Sequence, residues 1–329
     1  MEEALLLIRW PSLGLAVRAR PCLRENPALC RQIAAALPLE SCMGHVVISG
    51  ETVWLPTPIL HFGRENMVTR QTGDVYFFGS GQSVCLTYGA VTETARVNKF
   101  AETLPEDLPV LRQAGRRILE ETVYSARRSQ VPVQVRWAGP PPGPAPEEAR
   151  PQGAAYETAE QFLLRARAIW AKEPEEITLL RSGVPLFPGG EEMLSRLVLA
   201  ESETLLLGQR MLYAWLLMAR KEAIPLEDVR QLAQAVLAGE DSPLASLERL
   251  GLGSIARMGR RYLTALEALG NKEEFIALTG AFCIYCNRMH RWVHAVFPWN
   301  LGLGAFPQRR PDQLAAVAAL ARRLDGTGA

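Results

Sequence analysis

The sequence predicts an α+β protein built in two parts, a β-rich domain followed by an all-α helical bundle. Two observations carry this. Up to about residue 137 the apolar residues alternate with period two in short runs broken by Gly and Pro; beyond about residue 156 they recur with the helical period and strand signals nearly vanish. Between the two, Ala138–Gln152 holds six prolines in fifteen residues, an extended and semi-rigid tether. The domains are therefore read as 1–137, a linker over 138–155, and 156–329.

The first domain is organised around Gly73–Gly89. Val75 and Phe77 fall on one strand face, with Asp74, Tyr76 and Phe78 on the other. After a Gly79-Ser80-Gly81 turn, Val84, Leu86 and Tyr88 alternate with Cys85 and Thr87, which makes a hairpin. Opening strands are expected at Leu5–Ile8 and Leu13–Val17, punctuated by Pro11. Asn26 caps a helix with Pro27 at its first position, running to about Leu37. Met43–Ile48 and Thr52–Leu55 form a second hairpin turned by Gly50. Ile59–Thr72 has no clear period and reads as a loop; Thr92–Phe100 is a further strand. Leu108–Arg127 is helical, and Val131–Val135 is a closing strand that Pro132 assigns to a sheet edge. Many short strands with close turn signals argue for a barrel or a sandwich rather than βαβ units.

In the second domain, helices are expected at Glu157–Ala171, Glu191 to about Lys221, Leu226–Ala238, Pro243–Gly270, Glu273–Phe297 and Pro311–Leu324. Lys+Arg number 36 against Asp+Glu 35, a balance that offers no electrostatic footprint for nucleic acid or an anionic membrane. The most apolar run, Leu205–Ala219, contains Gln209 and Arg210 and is too short to span a bilayer. Met-Glu-Glu opens the chain without a basic leader segment, and six cysteines in 329 residues make no disulfide scaffold. A cytoplasmic protein with reduced thiols is expected.

Several residues are candidates for chemistry. Glu201 lies on the apolar stripe of its helix, four residues from both Leu197 and Leu205, so it must be paired, protonated or facing a cavity. A pair with an arginine of a neighbouring helix, or a bend before Glu201, would be a structural explanation. Cys283, Cys286, His290 and His294 are spaced 3, 4 and 4 apart and share a helix face. The first and last lie roughly 16 Å apart along a helix rising about 1.5 Å per residue. One ion cannot reach all four, so no metal is assigned; a partial site completed by another element is the remaining metal reading. In the first domain the polar groups near the strands are His61, Arg64, Asp74, Tyr76, Tyr88, Asn98, Lys99 and Glu121, with Phe78 beside Tyr76 on one face. That face is an aromatic wall or plain packing. No Gly-x-Gly-x-x-Gly joins a strand to a helix, so a nicotinamide cofactor is not expected, and neither a Gly-x-Ser-x-Gly elbow nor a His-Glu-x-x-His is present.

The run Gly-Asp-Val-Tyr-Phe, a glycine-bearing turn, and an apolar strand ending Tyr88-Gly89 resembles the small bacterial cyclophilin-like barrel proteins. With the helical second half, the layout resembles cucumopine synthase and its bacterial relatives. The resemblance implies a cyclophilin-like β-barrel, a helical bundle, and an opine-type synthase without a cofactor. Such an enzyme condenses a histidine-like amino acid with a 2-keto acid in a Pictet–Spengler-type cyclisation. That chemistry needs a carboxylate clamp, an acid, a base and an aromatic wall. From residue chemistry, Arg64 and Lys99 are expected to clamp, Tyr76 and Phe78 to form the wall, and Glu201, His61 or His290 to move protons, with Tyr88, Asn98 and Glu121 as further substrate contacts. The partners are then an amino acid and a keto acid, and the pocket forms within one chain or between two copies. A small-carboxylate-binding or regulatory protein and a peptidyl-prolyl isomerase are the competing readings.

Overall fold

The computed structural model describes residues 4–139, 153–182 and 193–300, which divide into two compact units, one within Met1–Glu147 together with 298–300 and one within Glu148–Phe297. The expected helix at 311–324, the linker prolines and the Gly189-Gly190 pair lie outside the described residues.

The first unit is a closed antiparallel barrel. Its strands are β1 (Leu6–Trp10), β2 (Leu15–Pro21), β3 (Leu39–His45), β4 (Gly50–Pro56), β5 (Met67–Thr69), β6 (Asp74–Phe78), β7 (Ser83–Val91), β8 (Arg96–Thr103) and β9 (Val131–Trp137). The order β2-β1-β9-β3-β4-β7-β6-β8 is closed by β2 pairing with β8, and β5 adds to β8 outside the ring. Closure removes the sheet edges that an open antiparallel sheet would expose. Pro11–Leu13 forms a 3-10 turn between β1 and β2, and Gly14 follows at φ 66°, a left-handed conformation that suits glycine.

Alternation sets the two faces. Val53, Leu55, Val75, Phe77, Val84, Leu86 and Tyr88 point into the interior core, joined by Leu6, Ile8, Val17 and Phe100. Helices α1 (Pro27–Ala36) and α2 (Leu108–Leu119) bury Leu29, Ile33, Leu111, Ala114 and Ile118 in that same core. Each such leucine or isoleucine contributes about 1.5–3 kcal/mol of hydrophobic stabilisation. The alternate residues Trp54, Tyr76, Cys85 and Val97 make a second, separate buried cluster.

Four local expectations change. Asn26 precedes α1 but makes no side-chain cap; its Nδ2 donates to Asn98 Oδ1 at 2.7 Å instead. The 59–72 stretch contains the short strand β5, too brief to show a period. The helix from Leu108 passes into a π-helical segment, Glu120–Tyr124. Strand β9 is not at an edge: it pairs with β3 over Val131–Val135 and with β1 over Gln134–Trp137. Pro132 is tolerated because it lies before the stretch that meets β1.

The second unit is all helix: α3 (Ala154–Ala168), α4 (Glu175–Ser182), α5 (Met193–Leu205), a π-helical segment Leu206–Leu212, α6 (Tyr213–Ala219), α7 (Leu226–Leu237), α8 (Pro243–Arg249), α9 (Gly253–Leu266) and α10 (Lys272–Val296). The α4 helix was not expected from the sequence, and the expected 243–270 helix is two helices, parted at Gly251 (φ 91°). The central element is α10, buried almost continuously from Leu278 to Val296 and packed against α3, α5, the π segment, α6 and α9. The Phe282 ring lies 5.1 Å from that of Tyr262 and 5.7 Å from that of Phe162. Arg288, with no exposed surface, sits over the Trp292 ring at 4.3 Å and the Trp170 ring at 5.6 Å, and its Nε donates to the Trp170 carbonyl at 2.7 Å. Among the described residues no helix is long and apolar enough to cross a membrane.

Candidate functional sites in the barrel and the bundle

In the bundle, two helices bring three ligand-type side chains together. His290 and His294 are one turn apart on α10, and Glu201 on α5 faces both. Glu201 Oε1 lies 2.8 Å from His294 Nδ1, and Oε2 lies 3.7 Å from His290 Nδ1. Thr204, one turn along α5, places Oγ1 3.1 Å from His290 Nδ1 and 2.7 Å from the Ala200 carbonyl. All of these residues are buried. Burial pushes the His290 imidazole down to about 3, outweighing the attraction of Glu201. Burial works to raise the Glu201 carboxyl, but His290, His294 and Arg291 together hold it below its usual range. Glu201 Oε2 is buried and accepts no hydrogen bond.

In the barrel, a different group forms on the face that carries Trp54 and Tyr76. Arg70, just before β6, has a side chain only 1% exposed. Its Nη1 donates to the Tyr76 hydroxyl at 2.8 Å and pairs with Glu93 Oε1 at 3.0 Å, and its Nη2 donates to the Ser49 carbonyl at 2.5 Å. The guanidinium carbon stands 5.6 Å from the centre of the Tyr76 ring. Arg70 Nε is buried without a hydrogen-bond acceptor. Glu93 is 38% exposed, so this ion pair has one fixed member and one that reaches solvent. Burial holds the Tyr76 phenol protonated, well above its ordinary pKa.

Residues 156–296 match the family model of the cucumopine synthase C-terminal helical bundle domain. The resemblance to proteins of the cucumopine synthase type, a β-barrel followed by a helical bundle, therefore holds for the layout of this chain. A solved structure, "Structure of McbB in complex with tryptophan", is similar with a TM-score of 0.81 and 23% identity, covering 92% of this chain and 100% of that chain. At that identity the likeness is one of fold. No curated protein matches the chain.

The residues singled out in the sequence fare unequally. Glu201 and His290 do meet, and the matched bundle region contains both; His294 hydrogen-bonds the Glu201 carboxylate, and Arg291 of the same neighbouring helix adds its attraction. The two cysteines do not join them: Cys283 Sγ bonds the Gly208 carbonyl, and Cys286 is buried outside the Glu201–His290–His294 group. Tyr76 belongs to the Arg70 group, but Phe78 is 40% exposed, so the two do not form one wall. Lys99 is no open anion clamp, because Asp74 at 2.7 Å and Glu102 at 2.9 Å already neutralise it. Arg64 and Glu121 are exposed, outside either cluster. Asn98 is structural: Oδ1 accepts from Asn26 and Nδ2 donates to the Gly63 carbonyl at 3.0 Å. Tyr88 is a core residue whose hydroxyl meets His45 Nε2 at 3.0 Å. His61 Nδ1 meets Gln32 Oε1 at 3.0 Å, and its ring packs edge-on against Phe77.

Sequence reasoning missed Arg70 and Glu93 as a pair. They lie 23 positions apart with a hairpin between, Arg70 in an unpatterned stretch and Glu93 near the start of the expected Thr92–Phe100 strand. The one available signal was an arginine six residues ahead of a strand tyrosine in an otherwise unpatterned stretch.

Proposed function

We propose that this protein is a synthase that condenses an amino acid bearing a nucleophilic aromatic ring with a 2-oxo acid and closes a ring by a Pictet–Spengler-type step. The observation that carries the reading is the buried Arg70, held between the Tyr76 hydroxyl and the half-exposed Glu93. The bundle match and the tryptophan bound to McbB support an aromatic amino acid as the amine.

In this reading Glu93 occupies the place of a substrate carboxylate in the resting protein. Arg70 is fixed by Tyr76 and Ser49 and offers a planar fork suited to a carboxylate. An arriving carboxylate displaces Glu93, which swings free to carry protons. The amine nitrogen attacks the 2-oxo carbon; the former carbonyl oxygen takes up two protons and leaves as water, which gives an iminium. A ring carbon of the amino acid then bonds to the iminium carbon, and the ring proton passes to the Glu93 carboxylate. Nothing is oxidised or reduced, so the step calls for no redox cofactor. The proton-transfer role suggested for Glu201 and His290 passes to Glu93, because the carboxylate of Glu201 is already engaged by two histidines.

The test is to incubate the full chain with labelled histidine or tryptophan and 2-oxo acids, and to look by mass spectrometry for a product equal to the sum less one water. Formation of that product, abolished in Arg70→Ala, is expected. Carboxylate binding at Arg70 without product from any such pair would replace the enzyme reading with a small-carboxylate-binding protein. Product formation untouched by Arg70→Ala would move the site elsewhere.

A further inference from the structure

We propose that Glu201, His290 and His294 bind one divalent transition-metal ion of the zinc class within the helical bundle. The inference is independent of the reaction assigned to the Arg70 group.

The donor set is two imidazoles and one carboxylate, a combination suited to zinc and to iron(II). One ligand atom from each of the three residues lies within 4.8 Å of the other two. Both His290 and His294 turn Nδ1 toward the carboxylate, at 3.7 Å and 2.8 Å. Ligands about 2.0–2.1 Å from a tetrahedral ion stand roughly 3.3–3.4 Å from one another. The two nitrogen–oxygen separations, one to each carboxylate oxygen, lie on either side of that value; side-chain rotation about a shared centre would close the set around an ion.

Two further observations point to a ligand rather than to packing alone. Glu201 Oε2 is buried and accepts no hydrogen bond, so one carboxylate oxygen facing the histidines keeps its lone pairs open to a cation. The helix carrying Glu201 passes directly into the π-helical segment Leu206–Leu212, and such segments are frequent at functional sites. That segment presses Gly208 against α10: a Cβ on Gly208 would come within 2.4 Å of Asn287 Oδ1. The close approach is what brings the carboxylate of one helix within reach of two histidines on the other.

The charges also suit a divalent ion. One carboxylate and two neutral imidazoles leave the ion with a net positive charge, so an anion or water fits the fourth position. Thr204 Oγ1, 3.1 Å from His290 Nδ1, lies beside it. The cysteines on the same helix are not needed, since Cys283 Sγ is already bonded to the Gly208 carbonyl.

The experiment uses the full-length chain, stripped with chelator and then titrated with Zn²⁺ by calorimetry and with Co²⁺ by visible absorption. One equivalent should bind, raise Tm, and give the d–d bands of a four-coordinate cobalt site without a thiolate charge-transfer band. His294→Ala and Glu201→Gln should each weaken binding at least tenfold, while Cys283→Ser should bind as the wild-type chain does. Circular dichroism identifies a variant that has lost its helices. The cobalt spectrum of the wild-type chain decides the ligand type even if every variant unfolds. Failure of the wild-type chain to take up a stoichiometric ion at micromolar free metal, a thiolate band, or unchanged affinity in folded His294→Ala would each overturn the proposal.

Discussion

Arg70 and Glu93 stand 3.0 Å apart in the barrel unit, the arginine side chain 1% exposed and the glutamate 38%. An ion pair so divided in exposure has an anchored cation and a replaceable anion. Exchange of one carboxylate for another at Arg70 therefore costs far less than removing Arg70 itself. Replacing Arg70 by Lys keeps the charge but loses the fork that spans Tyr76, Ser49 and a carboxylate. We expect Arg70→Lys to raise KM for the oxo acid by about 10- to 100-fold, as for a lost charge-assisted bond worth about 1.5–3 kcal/mol. Steady-state kinetics on the cyclised product measures this, and an unchanged KM contradicts the clamp.

Glu93→Gln retains size and hydrogen bonding but cannot accept the ring proton. A fall in kcat of about 10²- to 10⁴-fold is expected, with KM unchanged or lowered because the anion competing for Arg70 is gone, the pattern of a lost general base. A variant that lost affinity and kept kcat would instead make Glu93 a binding residue.

Gly115 on α2 has no room for a methyl group: a Cβ there would meet Cδ1 and Cγ of the Tyr88 ring at 2.3 Å. Tyr88 is 1% exposed and tied to His45 at 3.0 Å, so its ring has little freedom to retreat. Alanine in a helix gains about 1 kcal/mol over glycine, whereas overpacking a core costs about 1–3 kcal/mol. Gly115→Ala is expected to destabilise, seen as a lower urea midpoint at unchanged m-value. A raised midpoint would mean that the α2–Tyr88 contact is looser than described.

Asp107, at the start of α2, accepts from Arg18 three times: from N at 2.7 Å, from Nε at 2.9 Å and from Nη2 at 3.0 Å. The Arg18 side-chain hydrogen bonds hold the Asp107 carboxyl below its usual range. A lowered folded-state pKa contributes stability above the unfolded value, about 3.9, that is lost as pH falls through the folded value. The Tm of Asp107→Asn should thus lie a few degrees below that of the wild-type chain at pH 7, and the gap should close as pH falls below about 4. Calorimetry of both chains across pH 3–7 reads the gap directly. A gap that does not narrow at all between pH 7 and pH 3 would trace it to packing rather than to the ionised carboxylate.

The two-part layout was open to sequence reading because it depends on local periodicity. Alternation over Asp74–Tyr88 grouped Val75 with Phe77 in one strand and Val84 with Leu86 in the next, and the structure puts all four in the barrel interior. The same alternation set Tyr76 on the opposite face, and the stripe on the long helix marked Glu201 as a carboxylate in need of a partner. What covers a face, and which side chains meet across elements, are decided by long-range packing. Lys99 looked like an available cation because Asp74 reaches it only after β6 and β8 pair. Pro132 suggested an edge strand, but ring closure gives β9 a neighbour on each side. Arg70 met Glu93, and Glu201 met His290 and His294, through contacts spanning 23 to 93 positions. Period and composition constrain neighbours within a few residues, so they determined the elements and their faces. The partners of the buried charges were decided only when the chain closed the barrel and packed the bundle.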